Sequence, residues 1–240
     1  MSSSSVPPHL PRPAPTPSEG HKRPTRSKRF SEPPPARAYR RVVVSGGPAA
    51  GKTAILELLR RHLANEVAVV PESATLLFAG GFPRRRDEDG VKLVQRAIFE
   101  VQRCSEAIHV LGTERRACVC DRGSLDGAAY FPGGLDSFCD AMGTTIEDEY
   151  DRYDGVLFLE STAYQIETWP TDNPHRIETP AEARKIDRKL KHVWEGHPNF
   201  QLVPHAATFY EKISTSLEAL HRMLGIDGVL AVRREIDGKR

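Results

Sequence analysis

Gly46, Gly47, Pro48, Ala49, Ala50, Gly51, Lys52 and Thr53 complete the spacing G-x-x-x-x-G-K-[ST], that of a phosphate-binding loop. Small residues let the main chain curl so that successive N–H groups turn inward onto phosphate oxygens, with no Cβ in the way. Lys52 brings a point charge to the β and γ phosphates, and Thr53 offers a hydroxyl to Mg²⁺. The chemistry set out by these eight residues is capture of a nucleoside triphosphate, ATP or GTP, together with Mg²⁺.

Further reactive side chains stand where apolar runs end. Asp121 follows Ala117-Cys118-Val119-Cys120, the pattern of the acid that holds the Mg²⁺ shell in phosphate-loop enzymes. A strand-terminal Asp capping the next turn is the plainer reading. Arg122 beside it suits a transferred phosphate or a substrate anion, or else a surface ion pair. Glu72 follows Val67–Val70 and suits a general base for a substrate hydroxyl, a substrate ligand, or the first-turn acid of a helix. Asp126 is a weaker candidate for substrate or metal-bound water, and Glu160 ends a fourth apolar run. Arg176, Arg184 and Arg188 read as a closing lid that neutralises charge during phosphoryl transfer, against the default of a solvated basic helix face. His205 reads as lining a base pocket or entering a helix. Arg84 to Arg86 read as a solvated loop.

Positioning these groups requires alternating strands and helices. Val42-Val43-Val44 is a β-branched run of the kind buried on both faces of a parallel sheet, and Ile55, Leu58, Leu59, His62 and Leu63 follow at helical spacing. A long helix is expected to bury Val91, Val94, Ile98, Val101 and Ile108, and a loop-rich insert is expected over about 124–153. Thr179-Pro180-Ala181-Glu182 starts a helix that carries Ala183, Ile186, Leu190 and Trp194 inward. Thr208 with Glu211 caps the last helix, and Val229–Val232 suggests an edge strand or a docked tail. Such βα alternation predicts helices on both faces of a parallel sheet, with ligands outside the carboxyl ends of its strands.

Composition narrows the class. Of the 240 residues, 1–38 hold ten of the nineteen prolines and a charge of +5, leaving −3 for the rest. That segment cannot bury enough apolar surface to offset its ordering entropy, so a disordered tail touching anionic partners weakly is expected. A mildly acidic remainder argues against a nucleic-acid groove on the folded unit, 39–235. The four cysteines match neither a disulfide framework nor a zinc pattern, which points to a reducing, cytoplasmic compartment. No apolar run reaches the length of a membrane span.

Taken in order, SGGPAAGKT, VPESAT with GGFP, CDRGSLDGAAY and ETPAEARKIDRKLKHVWEGHPNF resemble the NadR-type AAA phosphate-loop domains, over roughly residues 40 to 224. That group includes ribosylnicotinamide kinase domains and a TRP-like channel translocation protein. The resemblance implies an α/β three-layer sandwich with a nucleoside-kinase-like strand order of 2-3-1-4-5, binding ATP or GTP with Mg²⁺. It makes Gly46 to Thr53 the nucleotide loop, Asp121 the Walker-B-like acid and Glu72 the carboxylate of the substrate cleft, with 161–197 lid-like. The guanine-reading N-K-x-D motif is absent. The leading expectation is a small-molecule kinase with an unidentified, nucleoside-like acceptor. A regulatory NTPase read by a protein or lipid partner, and a non-catalytic nucleotide sensor, are the alternatives.

Overall fold

Val42, Val43 and Val44 are fully buried at the centre of a five-stranded sheet in the computed structural model, which describes residues 39–165, 167 and 179–238. They belong to β1 (Arg40–Ser45), which pairs in parallel with β3 (Ala117–Asp121) on one side and β4 (Gly155–Leu159) on the other. β2 (Val67–Val70) and β5 (Phe200–Val203) complete the order β2-β3-β1-β4-β5, the order expected. The register sets Val44 between Asp121 and Leu157, so the acid and the phosphate loop leave the same edge of the sheet.

Alternation along the strands divides the core. Val42, Val44, Leu157 and Leu159 face α1 (Lys52–His62), α7 (Phe209–Leu224) and α8 (Asp227–Asp237). Val43, Cys118, Cys120 and Val156 face α3 (Glu88–Val110), α4 (Gly134–Met142) and Trp194 of α6 (Pro180–Trp194). Each Val or Leu so buried contributes about 1.5–3 kcal/mol, which fixes the register of the chemistry-bearing ends. Cys118 and Cys120 are buried thiols on one face, as small apolar residues would be. Both expected capping boxes form: Thr179 Oγ1 accepts from the Glu182 amide at 3.3 Å, and Thr208 Oγ1 from that of Glu211 at 3.1 Å.

Three expectations are corrected. The inward face of α3 is Val94, Gln95, Phe99, Gln102 and Glu106, whereas Ile108 is 66% exposed. Polar residues take the core positions because partners on other elements satisfy them. The stretch 124–153 is not mainly loop: it holds a 3-10 turn at Ser124–Ala129, then α4 and α5 (Ile146–Tyr150). Val229–Val232 lies in α8, where Val229 and Val232 are buried three residues apart on one helical face. Residues 1–38 and Arg176 lie outside the described residues. Among those described, no helix is long and apolar enough to cross a membrane.

Candidate nucleotide site

The phosphate loop has the backbone its sequence demands. Gly46, Ala49 and Gly51 all adopt positive φ, at 140°, 59° and 91°. A Cβ on Gly46 would lie 2.1 Å from the Leu159 carbonyl oxygen, so only glycine passes there. Gly51 is the N-cap of α1 without a side-chain cap, and no acid sits in the first turn. The first donors of α1 are therefore left for an anion. Ser161 Oγ donates to the Pro48 carbonyl at 2.5 Å and Thr162 Oγ1 to that of Ala49 at 3.2 Å, tying the outside of the loop to the end of β4.

Lys52 Nζ donates to the carbonyls of Gly46 at 2.7 Å and Gly47 at 3.0 Å. Burial and the neighbouring Arg122 pull its pKa down to about 8, against the attraction of Asp121, Glu72 and Asp126. Thr53 is exposed at the loop's end. Asp121 is half-buried at the tip of β3, and its Oδ1 is buried without a hydrogen-bond partner. Burial raises the carboxyl, opposed first by Lys52.

That orphan oxygen is the test of fit for Mg²⁺. Among the described residues no group of three His, Cys, Asp or Glu could hold a metal. One carboxylate and one hydroxyl nonetheless match how Mg²⁺ binds beside phosphates, with water and substrate oxygens filling the rest. Asp121 and Thr53 thus fit the ion.

Arg122, like Ala49, is a strained non-glycine of the site, with φ 71° in the left-handed region that costs about 1 kcal/mol or more. Its N–H donates to the Val44 carbonyl at 3.1 Å, and its carbonyl accepts from Gln102 Nε2 at 3.1 Å. So held, its guanidinium donates to Glu72 Oε1 at 2.5 Å, to Asp126 Oδ1 at 3.2 Å and to the Gly46 carbonyl at 3.5 Å. Glu72 is the N-cap residue of α2 (Ser73–Ala79) but makes no capping hydrogen bond. Its Oε2 accepts from Thr75 Oγ1 at 2.6 Å. Burial alone would lift the Glu72 carboxyl; Arg122, the Thr75 hydroxyl and Lys52 outweigh it and hold the group below its ordinary value. Gln102 also accepts from Ser73 Oγ at 2.7 Å, so one α3 side chain steadies both ends of the Glu72–Arg122 pair.

The structure therefore brings Lys52, Thr53, Glu72, Asp121 and Arg122 to one edge of the sheet. It commits others to structural partners. Asp126 is buried and accepts from Ser45 Oγ, Trp194 Nε1, the Gly123 amide and Arg122, which leaves it a structural anchor rather than a ligand for water. Glu160 Oε2 accepts from the His205 amide at 2.9 Å, closing the turn after β5. Arg184 donates to the Ala163 carbonyl at 2.7 Å, and Arg188 is exposed on α6. Arg84 stacks over Phe78, 3.9 Å from the ring centroid, in its exposed loop. Asp187 and Gln102 escaped the sequence reading. The signal for each was a polar residue at an inward helical position, Asp187 lying between Ala183 and Leu190.

No curated protein matches this chain. A solved structure of NadR protein in complex with NAD and AMP-PNP matches with a TM-score of 0.53 at 14% identity, covering 79% of this chain. The match spans 50% of that chain, and at this identity it carries the fold alone. The family whose description is AAA domain matches residues 41–212, from the first buried strand into α7, across the loop, both acids and α6. With the parallel order of the sheet and the lysine-bearing loop between β1 and α1, this match means that the chain belongs to the AAA-domain family.

Proposed function

We propose that the protein is a Mg²⁺-dependent phosphotransferase of the small-molecule kinase type, moving the γ-phosphoryl of ATP or GTP to a nucleoside-like hydroxyl. One observation carries this reading: Glu72 is held as a carboxylate by Arg122, whose guanidinium also reaches the carbonyl of the loop's first glycine. An acid fixed there can accept the proton of an acceptor hydroxyl beside the phosphate end of the loop.

In this mechanism the amides at the start of α1 and the charge of Lys52 hold the β and γ phosphates. Thr53 and Asp121 would hold Mg²⁺, which supplies charge neutralisation between the phosphates. Glu72 orients the acceptor hydroxyl and takes its proton. The low basicity implied by its depressed pKa suits a loose transition state, in which proton transfer is late. Arg122 stabilises charge on the transferred group. Arg184 and Arg188, both on α6, would neutralise charge on the phosphates once nucleotide is bound. The reading takes 39–235 as the catalytic unit, without nucleic acid, in the cytoplasm, with 1–38 a basic tail for weak anionic contacts.

The test is a screen of hydroxylated nucleosides and sugars for acceptor-dependent release of nucleoside diphosphate. The expected result is stimulation by one acceptor class, lost by about 10²–10⁴-fold in Glu72→Gln while nucleotide binding survives. Release indifferent to every small alcohol but stimulated by a protein or lipid partner would replace the kinase with the regulatory NTPase.

A further inference from the structure

The Gly46–Gly47 peptide is gripped at both ends. Its carbonyl accepts from Lys52 Nζ at 2.7 Å, and its N–H donates to Asp187 Oδ1 at 2.7 Å. Asp187 comes from the middle of α6, 140 residues further along the chain, and is 2% exposed. The helix comes so close that a Cβ on Gly47 would meet Asp187 Oδ1 at 2.6 Å and Asp187 Cβ at 2.8 Å. Gly47 has no positive φ to explain its glycine, so close approach of α6 is the constraint at this position. Burial pushes the Asp187 carboxyl above its ordinary value, opposed first by the Gly47 and Ser161 amides and, more weakly, by Lys52.

From this geometry we propose that Asp187 is a positioning residue that couples α6, with Arg184 and Arg188 on it, to the phosphate loop. The proposal rests on the nucleotide-binding reading above and adds how loop occupancy reaches the helix. A triphosphate draws on Lys52, which holds the peptide's oxygen; Asp187 holds the same peptide's N–H. Any change in that peptide is passed to α6 through one hydrogen bond at the buried middle of the helix. By reciprocity, the seating of α6 sets how well the loop is formed for its ligand.

The experiment uses the full chain and Mg²⁺ with AMP-PNP as the probe. Nucleotide affinity comes from calorimetry, and amide hydrogen exchange of α6 is followed with and without the probe. In the wild type the probe slows exchange in both the loop and α6. Asp187→Ala is expected to weaken the probe about tenfold and to confine its protection to the loop. Asp187→Asn keeps an oxygen for the Gly47 amide but turns an N–H₂ onto that of Ser161, so it is expected to weaken the probe less than Asp187→Ala and to keep α6 protected. Gly47→Ala pushes on the same contact from the other side and should reproduce Asp187→Ala. Combining the two should add little to the loss of coupling, since either change alone already breaks the hydrogen bond from the Gly47 amide to Asp187. Should Asp187→Ala fail to fold, the Asn and Gly47→Ala variants decide. Equal protection of α6 in Gly47→Ala, or loss of coupling in Asp187→Asn, overturns the proposal. Failure of the wild type to bind the probe overturns the nucleotide reading itself, whereas wild-type binding with unaltered α6 coupling in the variants overturns the Asp187 role alone.

Discussion

Two clusters of acids and arginines lie close together in this molecule, and they differ in what they leave open. Beneath the site, Glu106 accepts from Gln102, Arg152 and Tyr153, while Glu149 accepts from Arg103, Ser124 and Thr144. All four carboxylate oxygens are occupied, and both residues are 0% exposed. At the strand tips, Asp121 keeps a buried oxygen with no partner, and the first amides of α1 have no side-chain cap. Residue types are alike; saturation is not. A satisfied cluster rigidifies what lies above it, here the strained Arg122 through Gln102. An unsatisfied one costs folding free energy, which Mg²⁺ and phosphate in the proposed mechanism would offset.

The sharpest way to break this contrast is Glu106→Ala. Removing Glu106 from this buried charged network takes a carboxylate from Arg152 and Tyr153 and leaves a cavity, so the loss should be about 3–5 kcal/mol in urea unfolding. A loss below 1 kcal/mol would mean that the lower cluster is not the support it is taken for. Acidity separates the two regions next. With Lys52 lowered from 10.5 to about 8, the folded protein loses that proton first. Between those values the unfolded chain holds more protons, so stability of the unliganded protein rises with pH across the window. Triphosphate binding needs the ammonium form, so affinity should fall about tenfold per pH unit above 8, with the fall absent in Lys52→Arg. A flat affinity between pH 7 and 10 would contradict the burial of this lysine.

The smallest effect is expected at Asp121. Its raised carboxyl contributes stability that is present below the ordinary value of 3.8 and lost as pH rises through the higher folded value. Asp121→Asn should therefore stabilise the unliganded protein at pH 7 by about 1 kcal/mol, seen in thermal melts, with the gain closing in acid. The same variant should lose the extra stabilisation that Mg²⁺ adds to bound nucleotide. Destabilisation at pH 7 would make Asp121 a structural acid like Glu106.

What the sequence revealed was local. The phosphate loop, the strands ending at Glu72 and Asp121, and both Thr–Glu capping boxes depend on residues within a few positions of one another, and each is where its spacing predicts. What it concealed depends on distant partners. Gln102 and Glu106 have no role in the sequence reading because the partners that satisfy them, Arg122, Arg152 and Tyr153, lie 20 to 47 residues away. Asp187 is hidden for the same reason, its partner Gly47 lying across the molecule. Val229–Val232 misleads differently: a four-residue apolar run fits either a strand or one face of a helix, and only packing against α1 and α7 decides.

The account stands on a triphosphate seated in the Gly46–Thr53 loop. Calorimetric titration of the full chain with Mg²⁺–ATP and Mg²⁺–GTP, repeated on Lys52→Ala, tests it most directly. One site per chain for at least one nucleotide is predicted, weakened about 10²-fold or more by the lysine substitution while the unliganded melting temperature holds. No heat with either nucleotide, or equal affinity without Lys52, would contradict it.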